Sequence, residues 1–241
     1  MVINDVNDKD AIVKEYFDKG FVHIKTDPNT IEPELLKSIG SYFGKLLITG
    51  KHHIEGDRYV QLLSENALFG SGDVPWHNDF SYSIGDYHGT LLAYIESDTP
   101  THTEFVDCNI AYNMLSEEDK TYLADAEATF GIPGKYDGLI SETQVKVIKK
   151  HVMTRPIVMQ HPVTKRTSLY FSPETLVSTN KPIDKERLVK HCESMSFKHH
   201  WEKGDMILWD NRRMLHRRDA FEGHRKLLRV NFQYEFKHKT S

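Results

Sequence analysis

The chain has 241 residues, 39% of them hydrophobic and 27% charged, with a formal charge of −4 and a pI near 6.4. That composition fits a globular domain rather than a disordered or fibrous chain, and it carries no basic footprint for nucleic acid or an anionic membrane. Two cysteines are too few for a disulfide scaffold; the polar start MVINDVNDKD and the lack of any apolar run of about 18 residues lead to the expectation of a cytoplasmic protein with reduced thiols.

No repeat or Pro/Gly/Ser-rich linker divides the sequence, so one domain over 1–241 is expected. Residues 9–19 place Ile12, Val13, Tyr16 and Phe17 at helical spacing and stop at Gly20, which predicts a helix. A strand over 20–25 follows, then a helix from Pro33 with Leu35, Leu36, Ile39 and Phe43 on one stripe. Strands are predicted over 58–63 and 88–97. A third helix starts after Ser116, where Ser116-Glu-Glu-Asp119 has the form of a capping box. The polar stretch 134–150 is expected to be a lid, followed by a strand over 167–171, a helix over 184–195 and strands over 206–210 and 225–236. Early helices and many short strands suggest a mainly β sandwich or barrel with flanking helices.

The last strand is the most informative. Leu228, Val230, Phe232, Tyr234 and Phe236 point one way, and Arg225, Arg229, Asn231, Gln233 and Glu235 point the other, interrupted only by Leu227. The apolar face is expected under the helices. The polar face either lines a wet cavity or meets solvent, and the pattern alone does not choose.

Two histidines and a carboxylate on one face of an Fe(II) ion leave three positions open, and a His-x-Asp or His-x-Glu tripeptide on a strand offers two such ligands roughly 6.5 Å apart on one side. Five tripeptides of this form occur, at His53, His77, His102, His191 and His200, where about two would arise by chance. His191 and Glu193 fall in a predicted helix, where residues i and i+2 diverge. His53 lies in a polar loop and His200 just before a turn at Gly204, while His102-Thr-Glu104 stays open. His77-Asn-Asp79, flanked by Trp76 and Phe80, is the only His-x-Asp. A third ligand must come from elsewhere. His216 follows the apolar strand MILWDN, and Arg225 and Arg229 share one face of the last strand, where guanidinium groups would suit a dicarboxylate.

These residues resemble the taurine/2,4-D dioxygenase (TauD/TfdA-like) family of Fe(II)/2-oxoglutarate enzymes. WHND (76–79) is similar to the family's W-H-x-D, TEFVDCNIAY (103–112) to its T-L-F-A-N-T-x-A-A-Y, and RPIVMQHPVTKRTSLYF (155–171) to P-V-V-R-x-H-P-x-T-G-x-x-x-L-F. KGDMILWDNRRMLH (203–216) and RKLLR (225–229) match G-D-x-x-x-W-D-N-R-x-x-x-H and R-x-x-x-R. The resemblance implies a double-stranded β-helix (jelly-roll, cupin-like) core. It implies Fe(II) on His77, Asp79 and His216, with 2-oxoglutarate and O₂ as co-substrates and a far carboxylate held by Arg225 and Thr103. It gives Arg229 a part in binding the co-substrate or an anionic substrate, and Trp209, Asp210 and Asn211 a part in orienting the His216 loop. The implied reaction oxidises, and in the first instance hydroxylates, a small anionic or amino-acid-like substrate, releasing succinate and CO₂; the intact Asp79 disfavours halogenation.

Departures accompany the matches. Asp107 replaces a frequent Asn, Thr103 follows Thr-Pro-Thr-His rather than Gly-Gly-Asp, and Thr49 and Asp73 stand where taurine enzymes carry His and Asn, which argues against taurine itself. The alternative reading is a metal-binding jelly-roll hydrolase or isomerase without 2-oxoglutarate dependence, which needs neither Arg225 nor Thr103. A small-molecule partner is expected, with no nucleic acid or membrane, and homo-oligomerisation stays open. Cys108 and Cys192 read as inert structural thiols.

Overall fold

The computed structural model describes residues 2–48, 52–66, 70–83, 87–132 and 152–234. Two antiparallel sheets face each other. The larger runs in the order β1 (Val2–Ile3), β2 (Phe21–Lys25), β14 (Asp205–Asp210), β6 (Gly89–Ser97), β16 (Arg225–Tyr234) and β3 (Gly44–Leu47), with β4 (Gln61–Ser64) also paired to β16; only the short β1–β2 pair is parallel. The smaller runs β13 (Phe197–His200), β7 (His102–Asp107), β15 (Met214–Arg218) and β5 (Val74–His77). Outside them lie a three-stranded sheet of β12 (Leu176–Thr179), β8 (Glu127–Phe130) and β9 (Met153–Pro156), and a hairpin of β10 (Val158–Gln160) and β11 (Thr167–Leu169).

Period-two alternation divides the apolar residues into three layers. Leu91 and Ala93 of β6, Met206 and Leu208 of β14, and Leu228, Val230 and Phe232 of β16 point outward from the larger sheet. They meet Ile12 and Tyr16 of α1 (Lys9–Lys19) and Leu36 and Ile39 of α2 (Pro33–Ser41). The opposite faces of the same strands supply Leu92, Tyr94, Ile207, Trp209 and Leu227, which pack between the sheets on Phe105 and Met214. Val106 and Leu215 of the smaller sheet face the other way. They pack with residues of α3 (Cys108–Asn113), α4 (Glu117–Leu123) and α5 (Lys185–Glu193). The result is a mainly β jelly roll with helices outside both sheets.

Local chemistry supports these elements. Asp8 caps α1 through the Ala11 amide, and Gly20 ends it in the left-handed region at φ 73°. Ser116 caps α4 through the Asp119 amide at 3.0 Å, but Asp119 accepts the Ser116 hydroxyl (2.8 Å) rather than reaching its main chain. Gly89 is required by close approach: a Cβ there would stand 2.1 Å from Phe232 Cζ and 2.7 Å from the Tyr16 hydroxyl.

Several predicted elements recur with shifted bounds. The strand expected over 58–63 is β4, starting at Gln61, and that over 167–171 ends at Leu169. α3, β7, β13 and β15 had no counterpart in the sequence reading. The lid expected over 134–150, Thr49, Glu235 and Phe236 lie outside the described residues. Among the described residues no helix is long and apolar enough to cross a membrane.

Candidate active site

The polar face of β16 points into the roll, because Leu227 on that face joins the core between the sheets while Leu228, Val230 and Phe232 join the helical layer. Opposite it, β5 and β15 pair with His77 directly across from His216, so the two imidazoles meet with ring centroids 4.2 Å apart. The strand rationale for His-x-Asp needs correction here. β5 ends at His77, and Asp79 lies in the turn that follows, where Phe80 takes a positive φ of 53°. The turn, rather than a shared strand face, brings Asp79 Oδ1 to 3.6 Å from His77 Nε2 and 3.8 Å from His216 Nε2.

Two asparagines hold this turn against the loop before β15. The Asp79 amide donates to Asn211 Oδ1 (2.8 Å), and Asn211 Nδ2 donates back to the Asp79 carbonyl (2.6 Å). Asn78 Nδ2 donates to the carbonyls of Asn211 (3.0 Å) and Met214 (3.2 Å). Asn211 therefore ties the loop before His216 to the backbone of Asp79. Trp209 packs 4.9 Å from the His216 ring, and Asp210 pairs with His161 at 2.9 Å behind the site.

The second polar atoms of His77 and Asp79 are engaged, so that Nε2 of the one and Oδ1 of the other face inward. His77 Nδ1 bonds the Pro75 carbonyl at 2.8 Å, which leaves Nε2 toward the cavity. Thr90 Oγ1 donates to Asp79 Oδ2 at 2.9 Å and is itself held by Asn231 Nδ2 at 2.7 Å, leaving Oδ1 free to turn to the histidines. Burial and the adjacent His77 lower the His216 pKa, so its imidazole is neutral near pH 7. Burial opposes ionisation of Asp79, but the polar contacts of His216 and His77 and the Arg229 charge outweigh it and hold the carboxyl well below its usual range. Two imidazoles and one carboxylate, with ligand atoms all within 4.8 Å of one another, are the donor set that a ferrous ion takes on one face.

Arg225 is buried, its Nε donates to Thr101 Oγ1 at 3.3 Å, and it has no ion-pair partner among the described residues. Burial and repulsion from Arg218 bring its pKa down to about 9. Thr103 shares the inner side of β7 with Phe105, which stacks 6.0 Å from His216, and its hydroxyl accepts Trp201 Nε1 at 2.9 Å. Arg229 is held by Gln61 Oε1 at 2.8 and 3.0 Å, and its Nη1 is 3.8 Å from Asp79 Oδ1. Gln61 and Thr101 were missed in the sequence; neither carries a motif, and only their burial opposite an arginine marks them. Beside Asp79 opens a narrow cleft lined by Phe80, Tyr87, Arg155, Met159, Tyr170 and Arg212.

The other tripeptides separate on geometry. His191 lies on α5 and bonds the Ala111 carbonyl at 2.8 Å. His102 and Glu104 form a cluster with Asp219, but Arg217 (2.9 Å) and Lys198 (3.2 Å) already neutralise Glu104. Asp107, the departure from the family's Asn, caps α3 and takes Arg213 on both oxygens, at 2.8 and 2.5 Å. Cys108 and Cys192 are buried, and contact with Cys192 together with burial raises the Cys108 thiol pKa well above its usual value.

A jelly roll with two histidines and an aspartate converging between its sheets defines a class of non-haem metal proteins. The family described as "Taurine catabolism dioxygenase TauD, TfdA family" matches residues 4–231, and the chain belongs to it. Its relatives include the (S)-phenoxypropionate/alpha-ketoglutarate-dioxygenase of Sphingobium herbicidovorans, 28% identical over 60% of this chain. Another is the alpha-ketoglutarate-dependent 2,4-dichlorophenoxyacetate dioxygenase of Burkholderia sp. (strain RASC), 25% identical over 82% of this chain. The chain spans 56% and 66% of the length of these two relatives. The crystal structure of a taurine dioxygenase from Burkholderia xenovorans shares the fold, with a TM-score of 0.76 and 19% identity over 96% of this chain and 81% of that one.

Proposed function

We propose that this chain is an Fe(II)- and 2-oxoglutarate-dependent dioxygenase that oxidises a small organic anion, most simply by hydroxylation, with release of succinate and CO₂. The observation that carries this reading is an inward-facing His77–Asp79–His216 triangle together with a buried guanidinium, Arg225, that has no carboxylate partner among the described residues. In this reading His77, Asp79 and His216 hold the iron, and Arg225 with Thr103 receives the far carboxylate of the co-substrate. A jelly-roll hydrolase has no use for that arginine, and a buried cation without a counter-ion is costly unless an anion arrives.

Bound iron, with 2-oxoglutarate and O₂, supplies the oxidising power; the chain supplies position. Pro75 and Thr90 hold His77 and Asp79 with one ligand atom each turned inward. Gln61 holds Arg229 beside Asp79, where it favours the ionised carboxylate. Phe80, Tyr87 and Tyr170 offer flat apolar contact in the adjacent cleft, and Arg155, 5.9 Å over the Tyr170 ring, and Arg212 offer positive charge. That lining suits an acid with a compact apolar body, in keeping with the aryloxy acids named for two relatives.

The test is succinate formation from 2-oxoglutarate with added Fe(II), alone and across a panel of aryloxy acids, sulfonates and amino acids. Turnover is expected to require the metal and to vanish in Arg225→Gln. Unchanged turnover in that variant overturns the co-substrate assignment.

A further inference from the structure

Arg218 stands two residues beyond His216 on β15. Arg217 between them turns outward to Glu104 (2.9 Å) and the Trp76 ring (5.1 Å), so Arg218 returns to the inner side. β15 runs against β7 with His216 opposite Phe105 and Arg217 opposite Glu104, and one further step brings Arg218 toward Thr103. From the other sheet comes Arg225. The guanidinium carbons of Arg218 and Arg225 lie 4.8 and 5.4 Å from the centroid of the same ring, Phe221.

Two cations thus converge on one aromatic ring, and neither has an ion-pair partner among the described residues. Arg218 donates to the carbonyls of Asp219 (3.1 Å) and Gly70 (3.2 Å), and Arg225 to the Thr101 hydroxyl. Asp73 and Asp219 act on Arg218 only at longer range. Like charges held together away from water repel, and one carboxylate, with two oxygens and about four lone-pair sites, can satisfy both.

We propose that Arg218 is a second co-substrate arginine, which together with Arg225 grips the far carboxylate of 2-oxoglutarate. This rests on the role given above to Arg225. Arg218 then contributes to selecting a 2-oxo diacid over a 2-oxo monoacid, while the metal takes the other end.

Calorimetric titration of the Mn(II)-loaded chain separates the two ends. N-oxalylglycine carries the chelating head and the far carboxylate, whereas oxalate carries only the head. Arg218→Gln is expected to weaken N-oxalylglycine about tenfold, the scale of one hydrogen bond to a charged group, and to leave oxalate unchanged. The KM for 2-oxoglutarate should rise by a similar factor with kcat within about twofold, and Arg218→Lys should recover most of the loss. Unchanged affinity for N-oxalylglycine overturns the proposal, as does equal weakening of both ligands, which would mark Arg218 as a brace for the Gly70 carbonyl. Arg225→Gln is the control on the underlying role: if it too leaves N-oxalylglycine binding intact, that role fails and the proposal with it.

Discussion

Among the described residues stand two triangles of two histidines and an aspartate, each with its polar atoms within 4.8 Å: His77–Asp79–His216 between β5 and β15, and His23–His199–Asp205 where β2 and β14 meet β13. They differ in what else their carboxylate touches. Asp205 accepts His23 at 2.8 Å, Lys25 at 2.9 Å and the Glu202 amide at 2.8 Å, and His199 Nε2 stands 3.1 Å from its Oδ2, so both oxygens are already engaged. Asp79 gives Oδ2 to Thr90 and keeps Oδ1 3.6 to 3.8 Å from its histidines, a spacing open enough for an ion to enter. Residue types and distances alone do not define a metal centre. A satisfied triangle serves as a staple, and the open one is the triangle proposed to hold the metal.

The largest effect expected from this contrast is on metal uptake. His216→Ala should weaken Mn(II) or anaerobic Fe(II) binding by about a thousandfold, beyond the roughly 10–100-fold that outer partners cost, whereas His199→Ala should change it less than about twofold. Calorimetry or Mn(II) spin resonance reads both. Equal losses in the two variants would erase the distinction.

Stability should respond the other way round. Asp205 ties a strand of the larger sheet to β13 of the smaller, so Asp205→Asn leaves Lys25 without its buried partner and should cost about 3 kcal/mol in denaturant unfolding, with metal uptake intact. Burial opposes ionisation of Asp205, but His199, His23 and Lys25 prevail and hold its pKa below the ordinary value. A depressed carboxyl stabilises fully above the unfolded pKa of about 3.9 and loses that contribution as pH falls below it. The wild type should therefore lose more stability than Asp205→Asn on acidification below about pH 4. Parallel losses would show that another group carries the acid sensitivity.

A smaller effect probes how the open triangle is kept open. Asn211→Ala removes both bonds to the Asp79 backbone and should lower metal affinity about tenfold without unfolding the chain. If affinity held while stability fell, the clamp would serve the fold and not the ligand geometry.

The same contrast explains what the sequence could reveal. The alternation of β16 was legible because its outward face is apolar and its inward face polar for four successive pairs from Leu228 and Arg229 onward, and the structure resolves the open question by turning the polar face inward. β15 was not legible. Its inner residues are Met214, His216 and Arg218 and its outer ones Leu215 and Arg217, so function displaces the apolar alternation that marks a strand. The tripeptide's spacing pointed to His77 and Asp79, yet strand geometry was the wrong reason for their meeting, since Asp79 comes in from a turn. Asp205 escaped notice because its partners lie on β2, on β13 and in the turn before β14, as far as 182 residues away, and no local pattern joins them.

The smallest expected effect comes from the third cluster, His102–Glu104–Asp219. Its Asp219 side chain is 55% exposed, 3.2 Å from His102 Nε2, and Glu104 is already neutralised by Arg217 and Lys198. An exposed ion pair gains little over water, so Asp219→Asn should cost less than about 1 kcal/mol and leave metal affinity where it was. A measurable drop in metal uptake in this variant would contradict the rule drawn from the other two triangles, because a carboxylate cluster already neutralised by arginine and lysine would then be binding an ion.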